Sequence, residues 1–208
     1  MTRLILLVSL GLISYCLAGS DEAVGRKCVQ DFFKSYNFTD DAIPSFQKFI
    51  EPLIKNYDKS GAAAFKSDCG KFGTLRTCIK SCKSCQTSAY IPQTFGATNE
   101  DDSLQYTSLY NLSDYVCNAG APAIAKNYQC LFKQLKEPSA DTAACMKTFH
   151  TSKDPMTNCD AQIGFSTCIQ KSLSKGCGTE AVPVACNVLR IVSLSIPLTK
   201  CENKFPKC

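Results

Sequence analysis

The stretch Ile43-Pro44-Ser45-Phe46-Gln47-Lys48-Phe49-Ile50-Glu51-Pro52-Leu53-Ile54-Lys55-Asn56-Tyr57 decides the fold class. Ile43, Phe46, Ile50, Leu53, Ile54 and Tyr57 stand at i, i+3, i+7, i+10, i+11 and i+14, one face of a helix about four turns long. Asp40 or Asp41 can cap its start. Pro44 falls near the first turn, where a missing N–H costs nothing.

The same period continues outward on both sides. Cys28, Phe32, Phe33 and Tyr36 mark a shorter helix before it; Cys69, Phe72, Leu75, Ile79 and Cys82 mark another after it. Ala121 to Leu135 repeats the pattern through Ile124, Tyr128, Leu131, Phe132 and Leu135, and weaker helices are expected around 139–150, 159–175 and 183–195. Alternating runs bounded by Asn-Gly or Asp-Gly turns are absent. The expected fold is all-α, a disulfide-knitted bundle of about six or seven amphipathic helices with one long loop.

Residues 86–103 supply that loop, aperiodic and rich in turn-forming and acidic residues. Cys28, Cys69, Cys78, Cys82 and Cys85 precede it; Cys117, Cys130, Cys145, Cys159, Cys168, Cys177, Cys186, Cys201 and Cys208 follow. Both counts are odd, so if every cysteine pairs within the chain, at least one bridge must cross the loop. Residues 19–208 therefore read as a single covalently knitted unit with an exposed insertion.

The one cysteine outside this set, Cys16, belongs to an expected secretory signal peptide over residues 1–18. Arg3 supplies its positive end, Leu4 to Leu17 its apolar run, and Cys16-Leu17-Ala18 a small-x-small site with cleavage after Ala18. The apolar run is shorter than a bilayer span. Cleavage leaves an even set of cysteines, the mark of a disulfide framework in a secreted, extracellular chain. Asn37-Phe38-Thr39 and Asn111-Leu112-Ser113 are N-glycosylation sequons, so Asn37 and Asn111 are candidate glycan carriers.

Composition excludes several function classes. At 45% hydrophobic and 20% charged, the 208 residues are too apolar for a disordered chain. With His150 the only histidine, no site can need two. The formal charge of +5 is dispersed rather than clustered, which argues against a nucleic-acid partner. Val182 to Leu198, the most apolar run after the signal, carries Asn187, Arg190, Pro183 and Pro197. It reads as a buried helix tethered by Cys186 and not as a membrane span.

Candidate chemistry is sparse. Cys82-Lys83-Ser84-Cys85 has redox spacing, but a reactive thiolate needs a helix N-terminus, and this motif follows a helix, so structural bridging is expected. Cys78 and Cys82, one turn apart, are expected to reach different neighbouring helices. Zinc at Cys78, Cys82 and Cys85 is disfavoured by the oxidising compartment and the lack of a nearby histidine. His150 precedes a turn-like Thr-Ser-Lys-Asp-Pro and reads as a surface or helix-terminal residue. Gly164-Phe165-Ser166-Thr167-Cys168 lacks both the closing glycine and the preceding strand of a nucleophile elbow. No catalytic residue, metal ligand or cofactor is assigned. Ser60-Gly61, close to Asp58, is a minimal glycosaminoglycan acceptor, and a turn is the commoner explanation of that dipeptide.

The cysteine rhythm carries a resemblance. Cys117, then twelve residues to Cys130-Leu131-Phe132, then Cys145-Met146-Lys147-Thr148-Phe149, Cys159, Cys168-Ile169 and Cys177-Gly178 resembles the nematode secreted family called domain of unknown function 19. Cys69, Phe72, Leu75, Cys78 and Cys82 look like that family's opening helix, and the likeness covers most of residues 28–190. The cysteine-rich helices also resemble the nematode type-4 chondroitin proteoglycan domain. The loop at 86–103 and the extra Cys186, Cys201 and Cys208 depart from the first pattern. The resemblance implies a secreted, helical, disulfide-bonded protein with no activity or functional residues to carry over.

The functional expectation is a secreted, non-enzymatic helical binding module for an extracellular protein, glycan or lipid. Two alternatives stand beside it. Amphipathic helices rich in Phe and Tyr could enclose an apolar, lipid-like ligand, or Ser60 could carry a sugar chain on an extracellular-matrix core protein.

Overall fold

The computed structural model describes residues 23–40, 42–82, 85, 100–155, 157–195, 201, 204–205 and 207–208. The signal segment 1–18, the loop residues 86–99 and Asp41 lie outside these. Among the described residues there is no strand, and the helices run in the order α1 (23–34), α2 (Phe46–Ser60), α3 (Ala62–Lys80), α4 (Glu100–Cys117), α5 (Ala121–Lys136), α6 (Ala140–Thr151), α7 (Cys159–Cys177) and α8 (Val182–Leu194). The chain is an all-α, disulfide-knitted protein. All fourteen cysteines from Cys28 onward are disulfide-bonded. No described helix is long and apolar enough to cross a membrane.

The chain forms two compact units, one built from the residues up to Leu53 together with Ser67–Thr107, the other from Ile54–Lys66 and Ser108–Cys208. The first has an aromatic core. Phe32 and Phe33 of α1, Phe49 of α2, Phe72 of α3 and Tyr106 of α4 are all buried. Phe32 meets Phe72 at 4.9 Å between ring centroids, and Phe33 meets Phe49 and Tyr106 edge-on at 5.3 and 5.4 Å. Each buried ring contributes about 2–3 kcal/mol of transfer free energy. Cys28–Cys78 ties α1 to α3. Cys82 pairs with Cys85 inside its own motif and not with a neighbouring helix: α3 ends at Lys80, and beyond it Cys85 N–H donates to the Cys82 carbonyl at 3.2 Å. The buried Asp68 carboxylate lies 3.7 Å from the Lys71 ammonium, which itself sits 3.6 Å above the Tyr36 ring. That pair offsets part of the cost of burying the carboxylate, whose Oδ2 has no hydrogen-bond partner among the described residues.

The deciding helix differs from its sequence reading in two ways. It starts at Phe46, with Ser45 as cap in place of Asp40 or Asp41: the Ser45 hydroxyl accepts from Lys48 N–H at 3.4 Å and its carbonyl from Phe49 N–H at 3.1 Å. Ile43 and Pro44 precede the helix. Its buried face centres on Phe49 and Leu53, and Ile54 is exposed, a rotation of the expected stripe by about one residue. Pro52 sits on the exposed side, where water can take the carbonyl its missing N–H leaves over.

In the second unit α7 packs against both α6 and α8. Cys159, Cys168 and Cys177 recur on α7 every nine residues, about two and a half helical turns, so successive thiols point to opposite sides. Cys168 bridges to Cys145 of α6; Cys177 bridges to Cys130 of α5, and Cys159 to Cys201. Cys186 of α8, the helix expected over 183–195, bridges to Cys208. Asn158 caps α7 by accepting from the Asp160 and Ala161 N–H groups, and Ser139 caps α6 by accepting from Thr142 N–H. The Thr142 and Ser172 hydroxyls meet at 2.8 Å between α6 and α7. Across the same pair Lys175 donates to Asp141 at 2.7 Å, which holds that carboxyl below its ordinary value.

Candidate binding groove

The residues singled out in the sequence occupy separate places. His150 lies exposed in the last turn of α6, edge-on to Phe149. Ser166 is buried inside α7, where its hydroxyl accepts from the Gln170 amide at 3.1 Å; a nucleophile elbow has no place there. Cys82 and Cys85 are both buried, so their bridge is shielded from a thiol reagent. Among the described residues no group of acidic, histidine or cysteine side chains could hold a metal ion.

Asn37 is exposed in the turn after α1, at φ 66°, a left-handed conformation that asparagine tolerates. Asn111 lies within α4, where its amide donates to the Ser195 hydroxyl at 3.0 Å, and Ser113 of the same sequon is buried. Ser60 is the last residue of α2. Gly61 follows at φ +56° and donates its N–H to the Tyr57 carbonyl at 2.9 Å, so the turn into α3 accounts for the glycine.

That same turn forms one wall of a groove of about 880 Å³ in the second unit, with α5 as the opposite wall. Tyr57, Tyr128 and Phe132 supply its aromatic surface. Tyr128 and Phe132, one turn apart on α5, lie nearly parallel at 5.6 Å, and Tyr57 meets Phe132 edge-on at 6.1 Å. The Tyr128 hydroxyl donates to the Tyr57 carbonyl at 3.3 Å, which fixes the two walls relative to each other. Burial, with the Asp58 carboxylate nearby as a lesser cause, raises the Tyr128 phenol above its usual range and keeps it a donor. Gly61 leaves the space beside Tyr128 open: a Cβ there would stand 3.9 Å from the ring. Cys130 itself lines the groove, and its bridge to Cys177 anchors α5 to α7.

Charge rims the aromatic surface. Lys136 pairs with Asp58 at 2.7 Å, and Lys126, also lining the groove, pairs with Glu180 at 2.6 Å. Lys133 makes no ion pair among the described residues. The sequence reading placed Tyr57, Tyr128 and Phe132 on core-facing stripes and treated the lysines as solvated surface. It also put Leu135 on the α5 stripe, yet that side chain is 79% exposed. An aromatic stripe with lysines three or four residues away on one helix is the signal that could have found the groove. No family model, no curated protein and no solved structure matches the chain.

Proposed function

We propose that this chain is a secreted, non-enzymatic binding module of the nematode type resembled by its cysteine rhythm, and that it binds its partner in the groove between the α2–α3 turn and α5. The observation that carries the reading is the groove itself: three aromatic rings and three lysines on elements held by a hydrogen bond and a disulfide. Preformed, rigid concavities of mixed lining are where recognition needs least reorganisation. Full oxidation of the cysteines supports the extracellular setting. The aromatic rings of α1 to α4 in the first unit are satisfied by one another, which favours surface recognition over enclosure of a lipid.

The test is amide chemical-shift mapping on the isotope-labelled secreted protein against a panel of oligosaccharides, vesicles and peptides. Binding is expected to move residues of α5 and the α2–α3 turn. A ligand that shifts only other residues, or that is chemically converted, overturns the proposal.

A further inference from the structure

We infer that the groove takes an acidic oligosaccharide, with sugar rings against Tyr57, Tyr128 and Phe132 and carboxylate or sulfate groups on Lys126, Lys133 and Lys136. This deepens the binding-module proposal and rests on it. The lysines form a row and not a point. Lys126 and Lys133 are separated by about 10 Å along the α5 axis, and Lys136 lies about 4.5 Å further on. A single small anion would leave most of that row unused, whereas a chain bearing charge at intervals uses all of it.

The lysines are also available at little cost. The Lys126–Glu180 and Lys136–Asp58 pairs are solvent-exposed, with side-chain exposures of 43% or more, and such pairs add little to stability. Trading a carboxylate of the protein for one of a ligand is therefore nearly neutral. Lys133 needs no exchange.

The aromatic surface selects among anionic chains. A pyranose ring presents an apolar C–H face and polar edges, which matches rings bordered by ammonium groups and the Gln129 and Asn127 amides of the same wall. Tyr128 and Phe132 already lie parallel to each other at 5.6 Å, so no base can slide between them. An acyl chain would have to lie along lysines and carboxylates.

The experiment titrates the secreted, fully oxidised chain with a heparin-derived hexasaccharide, a neutral chitin hexasaccharide, a single-stranded oligothymidylate and phosphatidylserine vesicles. Calorimetry and α5 amide shifts are the readouts. The acidic sugar is expected to bind about tenfold or more tighter than the neutral one, as expected for charge-assisted contacts, and to weaken as salt rises. Lys133→Ala is expected to lower that affinity about tenfold, the loss of one such contact, and Lys133→Arg to restore most of it. Lys153→Ala, outside the groove, should leave it unchanged. Both sites are exposed, so the three variants fold.

Equal losses from Lys133→Ala and Lys153→Ala overturn the inference, since net charge alone then explains binding. Tighter binding of the oligothymidylate or the vesicles overturns it as well. If the neutral sugar binds equally while α5 amides shift, the acidic class is wrong and the groove stands as a binding site. If no probe moves those amides, the groove proposal falls with it.

Discussion

Asp102 on α4 is buried, and its Oδ1 accepts the N–H of Phe46 at 3.1 Å, completing the first turn of a helix 56 residues earlier. Tyr106, one turn along, donates to the Pro44 carbonyl at 2.8 Å, and its phenol is held well above the ordinary range by burial and then by Asp102. Two side chains of α4 thus set where α2 begins. Asp102→Ala is expected to cost about 1–3 kcal/mol, measured by urea unfolding, because it strands a donor in a covered site. Asp102→Asn retains an acceptor and should recover much of that loss. The two sequons divide at the same scale. Glycan is expected on exposed Asn37 and not on Asn111, whose amide is engaged with Ser195. Intact mass should therefore fall by one glycan in Asn37→Gln and stay glycosylated in Asn111→Gln; the reverse pattern would contradict the packing of α4.

Among the elements, α7 has its rotation about its own axis defined from opposite sides by bridges at nine-residue spacing. The Cys145–Cys168 bridge spans 23 residues, and its loss is expected to cost about 3.5 kcal/mol through the entropy of the unfolded chain. The Cys145→Ser, Cys168→Ser double variant should show this in denaturant; no change in midpoint would refute it. The helices with apolar stripes were legible in the sequence, α7 and α8 nearly to their ends. α4 is not, and its first residues, 100–103, read as loop, because the face it buries is polar: Asp102, Thr107 and Ser113 accompany Tyr106. Those groups are satisfied by hydrogen bonds to other parts of the chain or to their own helix, and a hydrophobic period cannot register them. The rotation of the α2 stripe has a related cause. Phe49 and Ile54 are equally apolar, and only the position of α1 and α4 against α2 decides which is covered.

For the molecule as a whole, the cysteine count and parity already implied an oxidised framework, and the pairing did not follow from them, since the number of possible connectivities is far too large. The groove was legible only in part. Its rings and lysines are visible as residue types, but their convergence depends on Gly61 turning α2 into α3 opposite α5.

The C-terminal bridges have one more consequence, a mechanical one. Cys130–Cys177, Cys159–Cys201 and Cys186–Cys208 overlap, so every peptide bond from 130 to 208 lies inside at least one closed ring. A pull applied at Cys130 and Cys208 travels through the bridges and only the nine residue steps from Cys177 to Cys186, a tether of about 30 Å, where the uncrosslinked segment would stretch to roughly 270 Å. Under load this part of the chain behaves as a short inextensible link, and a single backbone nick within it leaves both pieces joined.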